Sequence, residues 1–195
     1  MDNAVLAKPG AGLPFHEWLI ARYLIIPSAM KSTSSEQAIE LFSTESGTIR
    51  DLISNLSPDR LNVRRLIRRL QGLEDSSRSW SVTMALQHLV IVNRQIQKTM
   101  IALSEGNTDL RTVGIADLKP SADAQAEVTL SEFEDMTASF CRTAGSTDLD
   151  RHPESKYPHP WFGPMNAKEW LVMAALHQRI HRRQIEEIIK KLSAN

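Results

Sequence analysis

A single cysteine, Cys141, leaves no partner for an intramolecular disulfide and no thiolate set for a cysteine-based metal cluster. That scarcity fits a reducing compartment, and the expectation is a cytoplasmic protein. The first residues, MDNAVLAKPGAG, lack the basic start, apolar run and small-residue cleavage site of a signal peptide. Long apolar runs are missing as well. The stretch over residues 18–27 is interrupted by Arg22 and falls far short of the ~20 residues that span a bilayer, so no membrane partner is expected. There is also no excess of either charge: Lys plus Arg and Asp plus Glu each total 23. A chain without net charge builds no long-range field toward a polyanion, which argues against nucleic acid as a partner.

What is present is enough apolar material for one core, 42% of 195 residues. Glycine and proline gather at residues 9–12 and again at Pro153, Pro158, Pro160, Gly163 and Pro164, and the stretches between are rich in helix formers. The organisation expected is a flexible N-terminus over residues 1–13 and one domain over residues 14–195. Within it, a short helix over residues 14–26 ends at Pro27, and a longer one over residues 34–56 carries Ala38, Leu41, Phe42, Ile49, Leu52, Ile53 and Leu56 on one face. Pro58 closes that helix. The next starts near Ser79 as N-cap and stops at Gly106. Residues 107–127 form a polar connection, a third helix covers about residues 129–144, and the last begins at Asn166 with Glu169 positioned for a capping box. No strand pattern is convincing. Four long amphipathic helices imply an all-α fold, an antiparallel four-helix bundle with an extra N-terminal helix on its outside.

His177 and His181 stand four apart in the last helix, so their rings stack on one face about 5–6 Å apart at Cβ. His88 occupies a position in the second long helix where a core would prefer leucine, among Met84, Ile91, Val92 and Gln95. Three neutral imidazoles from two neighbouring helices would fill three corners of a tetrahedron or half an octahedron, leaving a position open. Spacing alone leaves an alternative, since a helical H-x-x-x-H arises often by chance and a lone histidine on an apolar face is more often a hydrogen-bonded core residue. No H-E-x-x-H is present, because Gln178 follows His177, and this argues against a zincin-type protease.

The segment SSRSWSVTMALQHLVIVNRQIQ, followed some way on by HPWFGPMNAKEWLVMAALHQRIHRRQIEEI, resembles the DinB-like (DinB/YfiT) family. The likeness is carried by the Trp-Ser helix start, the three histidines in order and the Phe-Gly before the last helix; it is weak in the first and third helices. It implies a four-helix bundle with a divalent metal held by His88, His177 and His181. It further implies metal-dependent hydrolysis or transfer and isomerisation with low-molecular-weight thiols, a small-molecule substrate and a homodimer. Imidazole ligands suit zinc or nickel first, with iron or manganese also compatible. The competing reading is a non-catalytic metal-binding or interaction bundle.

His159, in the proline-rich loop, and Gln184, one turn past His181, are candidates for a substrate pocket. The plainer alternatives are an exposed loop residue and an exposed glutamine. Cys141 on an apolar helix reads as an inert thiol. Arg60, Arg64, Arg65, Arg68 and Arg69 form the one basic concentration and could hold a phosphate or an acidic cofactor; interleaved with Leu61, Leu66, Ile67, Leu70 and Leu73, they read instead as the solvated side of a short amphipathic piece, facing solvent or pairing with Asp59, Glu74 and Asp75.

Overall fold

Ser34 accepts a hydrogen bond from the Gln37 N–H, and the Gln37 side chain answers the Ser34 N–H, a capping box that starts α3 (Ser35–Ile53). In the computed structural model, residues 5–8 and 10–193 are described; residues 1–4 and 9 of the N-terminal stretch, and 194–195 at the other end, lie outside the described residues. Helix α3, α5 (Val82–Ser104), α6 (Ala126–Ser146) and α7 (Ala167–Ser193) form the all-α four-helix bundle expected, with α3 and α5 each packed against both α6 and α7. The core is the buried stripe of each helix. At its centre Phe42 of α3 stacks on Phe140 of α6, ring centroids 4.2 Å apart.

Two pairs of contacts fix the relative run of the helices. Phe42 meets Phe140 and Arg50 meets Glu134, so α3 and α6 run in opposite directions. Arg94 meets Glu132 while Gln97 meets Ser139 and Thr143, so α5 and α6 run the same way. A shared direction demands a connection that returns along the bundle, and α5 alone is about 34 Å long. Residues 105–125 make that return. Gly106, at φ 79°, turns the chain out of α5, with the Asn107 N–H closing on the Ala102 carbonyl at 2.9 Å.

Helix α5 begins later than the sequence suggested. Its N-cap is Ser81, whose Oγ accepts from the Met84 N–H at 3.1 Å, whereas Ser79 receives the Arg64 guanidinium on its carbonyl and hydroxyl. The reason lies in the preceding segment. The Arg65 N–H donates to the Trp80 carbonyl and the Ile67 N–H to the Arg78 carbonyl, which holds residues 78–80 outside the helix. Pro58 likewise does more than close α3, since it takes the first position of the short helix α4 (Pro58–Asn62), where a missing N–H costs nothing. The arginines of this region also choose other partners than expected: Arg60 the Leu192 carbonyl, Arg68 Glu187, and Arg69 Glu17 at 2.5 Å. Residues 64–70 are not helical, so the neighbours expected from helical spacing are not available.

The N-terminal helix packs outside the bundle. It does not stop at Pro27: α1 (Phe15–Ile20) widens into a π turn over Ala21–Ile25 and continues as α2 (Ile26–Ser32). The wide turn accommodates a proline ring that lacks the N–H an α-helix would need there. Buried Glu17 anchors this arm to Arg69 and the Gly72 N–H, and Trp18 donates its indole N–H to the Trp161 carbonyl at 2.8 Å. Trp161 belongs to a small antiparallel hairpin that the sequence did not reveal, β1 (Tyr157–His159) and β2 (Gly163–Met165), in which His159 faces Gly163. Gly163 sits at φ 88°, and a Cβ there would stand 2.8 Å from the Arg22 guanidinium. Gly163→Ala should therefore cost about 1–2 kcal/mol in a denaturant titration, from the left-handed backbone alone. An unchanged midpoint would show that the hairpin relaxes freely.

Candidate metal centre

The capping box expected for the last helix is present: the Asn166 N–H donates to Glu169 at 2.8 Å and the Glu169 N–H to Asn166 at 2.9 Å. That start sets the phase of α7, turning Trp170, Ala174, His181, Gln184, Ile185 and Ile188 inward. His177 and His181 lie on the side facing α5, with ring centroids 4.4 Å apart, and His88 stands 5.1 and 4.7 Å from them. The three rings converge. His177 Nε2 lies 3.2 Å from His88 Nε2 and 3.1 Å from His181 Nε2, and one nitrogen from each falls within 4.8 Å of the others.

The outer nitrogens decide what the inner ones carry. His88 Nδ1 meets the Leu118 carbonyl at 2.7 Å, and a carbonyl only accepts, so Nδ1 holds the hydrogen and Nε2 a lone pair. Gln184 donates its amide to the Ser77 carbonyl at 2.7 Å, which leaves its oxygen facing His181 Nδ1 at 2.6 Å. His181 Nε2 therefore also presents a lone pair. His177 has one ring hydrogen to offer and two lone pairs to face, and its own Nδ1 is buried without a partner. Neutral rings cannot satisfy one another in this arrangement, whereas a shared cation would. A proton would fill that role poorly, because burial, foremost, holds His88 down at about 4, and burial with the neighbouring imidazoles holds His177 and His181 well below the usual range.

Trp80 closes the inner side of the cluster. Its ring stacks on His181 at 6.1 Å and lies 5.1 Å from His88, with the Lys119 ammonium 5.3 Å over its other reach. Gln178, which follows His177, is fully buried on a different face, where it accepts from Asn93 at 3.0 Å and donates to Ser46 at 2.9 Å. It ties three helices together and takes no part in the cluster.

On the open side the three histidines border a cavity of about 500 Å³. Helices α5 and α7 form two walls through Val92, Ile96 and Met173, the return connection adds Ile115 and Leu118, and the hairpin adds His159. His159 is half-buried, stacked on Phe162 at 4.9 Å and beside Trp170 at 5.4 Å. Gln184 does not border the cavity; it is fully buried behind His181, because its inward phase on α7 carries it past the ring into the core. Cys141 is half-buried and its thiol is pushed up by burial, in keeping with an inert side chain. Leu118, Trp80 and Lys119 were not legible as site residues. A backbone carbonyl leaves no mark in a sequence, and only Trp80, just ahead of the helix start, offered a signal. Among the described residues no helix is long and apolar enough to cross a membrane.

A model of the DinB superfamily matches residues 41–185. The structure resembles that of TT2238, a four-helix bundle protein, at 19% identity and a TM-score of 0.54, over 78% of this chain and 98% of that one. It also resembles YfiT from Bacillus subtilis, described as a probable metal-dependent hydrolase with an unusual four-helix bundle topology, at 13% identity and a TM-score of 0.61, over 96% of this chain and 94% of that one. Comparison with curated proteins gives no significant sequence match.

Proposed function

The chain belongs to the DinB superfamily, and from that premise we propose that it is a metal-dependent enzyme whose divalent transition metal is held by His88, His177 and His181. The observation that carries this reading is the set of Nε2 lone pairs, two of them fixed by the Leu118 carbonyl and the Gln184 amide, facing one point without a donor for each. A cation so held supplies a Lewis acid that activates water or polarises a substrate oxygen or thiolate sulfur. The chain's own residues do the rest. Leu118 and Gln184 keep two rings in the ligating tautomer, Trp80 keeps water from their inner side, and the cavity seats a small molecule against the open side of the cluster. The reactions covered are hydrolysis, the activity attributed to YfiT, and thiol-dependent transfer. Zinc and nickel are the metals that three imidazoles favour, and iron or manganese also fit.

Metal analysis of protein purified without a polyhistidine tag tests the premise, with about one equivalent expected. Anomalous scattering at the candidate metal's edge would then report the ion and its ligands together. Protein that takes up none of zinc, nickel, iron or manganese overturns the metal, and loaded protein that turns over no ester, amide or thiol substrate overturns the enzyme.

A further inference from the structure

The cavity beside the three histidines has an unusual balance of groups for a site expected to grip a small polar metabolite. Its bordering residues are mostly aliphatic and aromatic, and among the described residues its only charged members are Glu74 and Lys119. Those two are paired with each other, and Lys119 also donates to the Ser76 hydroxyl at 3.0 Å. No free charge is left to meet a carboxylate, phosphate or ammonium on a ligand, and burying one there unpaired would be costly. Uncharged polar side chains also border the cavity, Gln95, Thr99 and Tyr157 among them, and one of these groups is His159. Its Nδ1 accepts the Trp161 backbone N–H at 3.1 Å, which places the ring hydrogen on Nε2. Nε2 makes no hydrogen bond among the described residues, and the ring borders the same cavity as His177. The position is fixed rather than incidental. Phe162 stacks on the ring, Trp170 stands beside it, and the hairpin that carries it is tied down through Trp18.

We propose that the cavity takes an uncharged, largely apolar molecule bearing a carbonyl-type oxygen, and that the His159 Nε2–H donates a hydrogen bond to that oxygen while the three-histidine centre engages the same head group. The inference rests on the metal reading above and adds the substrate class and a fourth histidine with a separate task. A neutral N–H aimed at a carbonyl stabilises negative charge as it develops on the oxygen, and it does so without a charged side chain in an apolar site. His159 is not a fourth metal ligand in this arrangement, because its free ring nitrogen carries the hydrogen.

Two probes separate donation from packing. Benzohydroxamate has an apolar ring and a carbonyl oxygen, and thiophenol has the ring and a metal-binding sulfur but no oxygen. In zinc-loaded full-length protein, His159→Phe should weaken benzohydroxamate by about tenfold and leave thiophenol within about twofold, with His159→Gln recovering part of the loss. Equal weakening of both probes, no weakening of either, or failure of the wild-type protein to bind benzohydroxamate would overturn the proposal. Long-range proton–nitrogen NMR supplies a readout independent of the metal: His159 should be neutral with its hydrogen on Nε2 in both stripped and loaded protein. A hydrogen on Nδ1 overturns the proposal even if metal binds, whereas absence of zinc uptake in the same samples overturns the metal reading instead.

Discussion

Replacing His181 with alanine should weaken metal binding by at least about a hundredfold while leaving the far-ultraviolet circular dichroism nearly unchanged. The size follows from a comparison within the site. Loss of an outer partner that orients a ligand already costs about 10–100-fold in affinity, and loss of the ligand removes both the donor atom and the orientation. Here the outer partner is Gln184, so Gln184→Leu, which keeps the volume and removes the acceptor, should weaken binding by about tenfold. The helix survives because α7 owes its start to Asn166 and Glu169 and its packing to buried residues such as Ile185, Ile188 and Leu192, all of which the substitution leaves in place. Chelator competition, followed at a pH where the rings are neutral, gives both affinities. Equal affinity in wild type and His181→Ala would mean that the metal, if any, is held elsewhere.

The local signals that fixed this helix were all in the sequence. Asn166 and Glu169 stand three apart ahead of an apolar run, and His177 and His181 stand four apart within it, so the helix and its shared face follow from period alone. The same holds for the four-helix count, since each long helix carries its own apolar stripe. What period does not convey is how a chain returns. That α5 and α6 run the same way, so that residues 105–125 cross the bundle and bring the Leu118 carbonyl to His88, depends on tertiary pairing that no window of sequence contains. Pro27 misled for a related reason. A proline reads as a stop only if the preceding turn is α-helical, and here that turn is wider. Gln184 was recognisable as a neighbour of His181 by spacing, but whether it faced the cavity or the core depended on a phase difference too small for sequence to resolve.

Stripped of metal, the protein should lose stability steeply as the pH falls from about 6.5 toward 4. Four buried and half-buried histidines set this window. His88 and His159 are each held down at about 4 by burial, and His177 and His181 lie well below the usual value, against about 6.5 for an unfolded chain. Between those limits the unfolded chain binds protons that the folded one refuses, so stability rises with pH there and is fully present above the unfolded value. His88 and His159 alone each withdraw on the order of 3 kcal/mol across the window, which is a large part of the 5–15 kcal/mol typical of a domain. The carboxylates do not blur the effect. Asp75 and Glu187 are held below their ordinary values by Arg78 and Lys190, so their contribution is lost only at lower pH, as it falls through the folded values. Bound metal should move the acid transition downward, because protons must displace it before the rings can charge. Urea titrations of stripped protein at a series of pH values between about 7.5 and 4.5 measure the slope directly, and His159→Phe should make it shallower by about one proton. A stability that stays level through this range would mean that the four rings are hydrated and free to charge in the folded state, which is incompatible with a dry, three-imidazole site awaiting a cation.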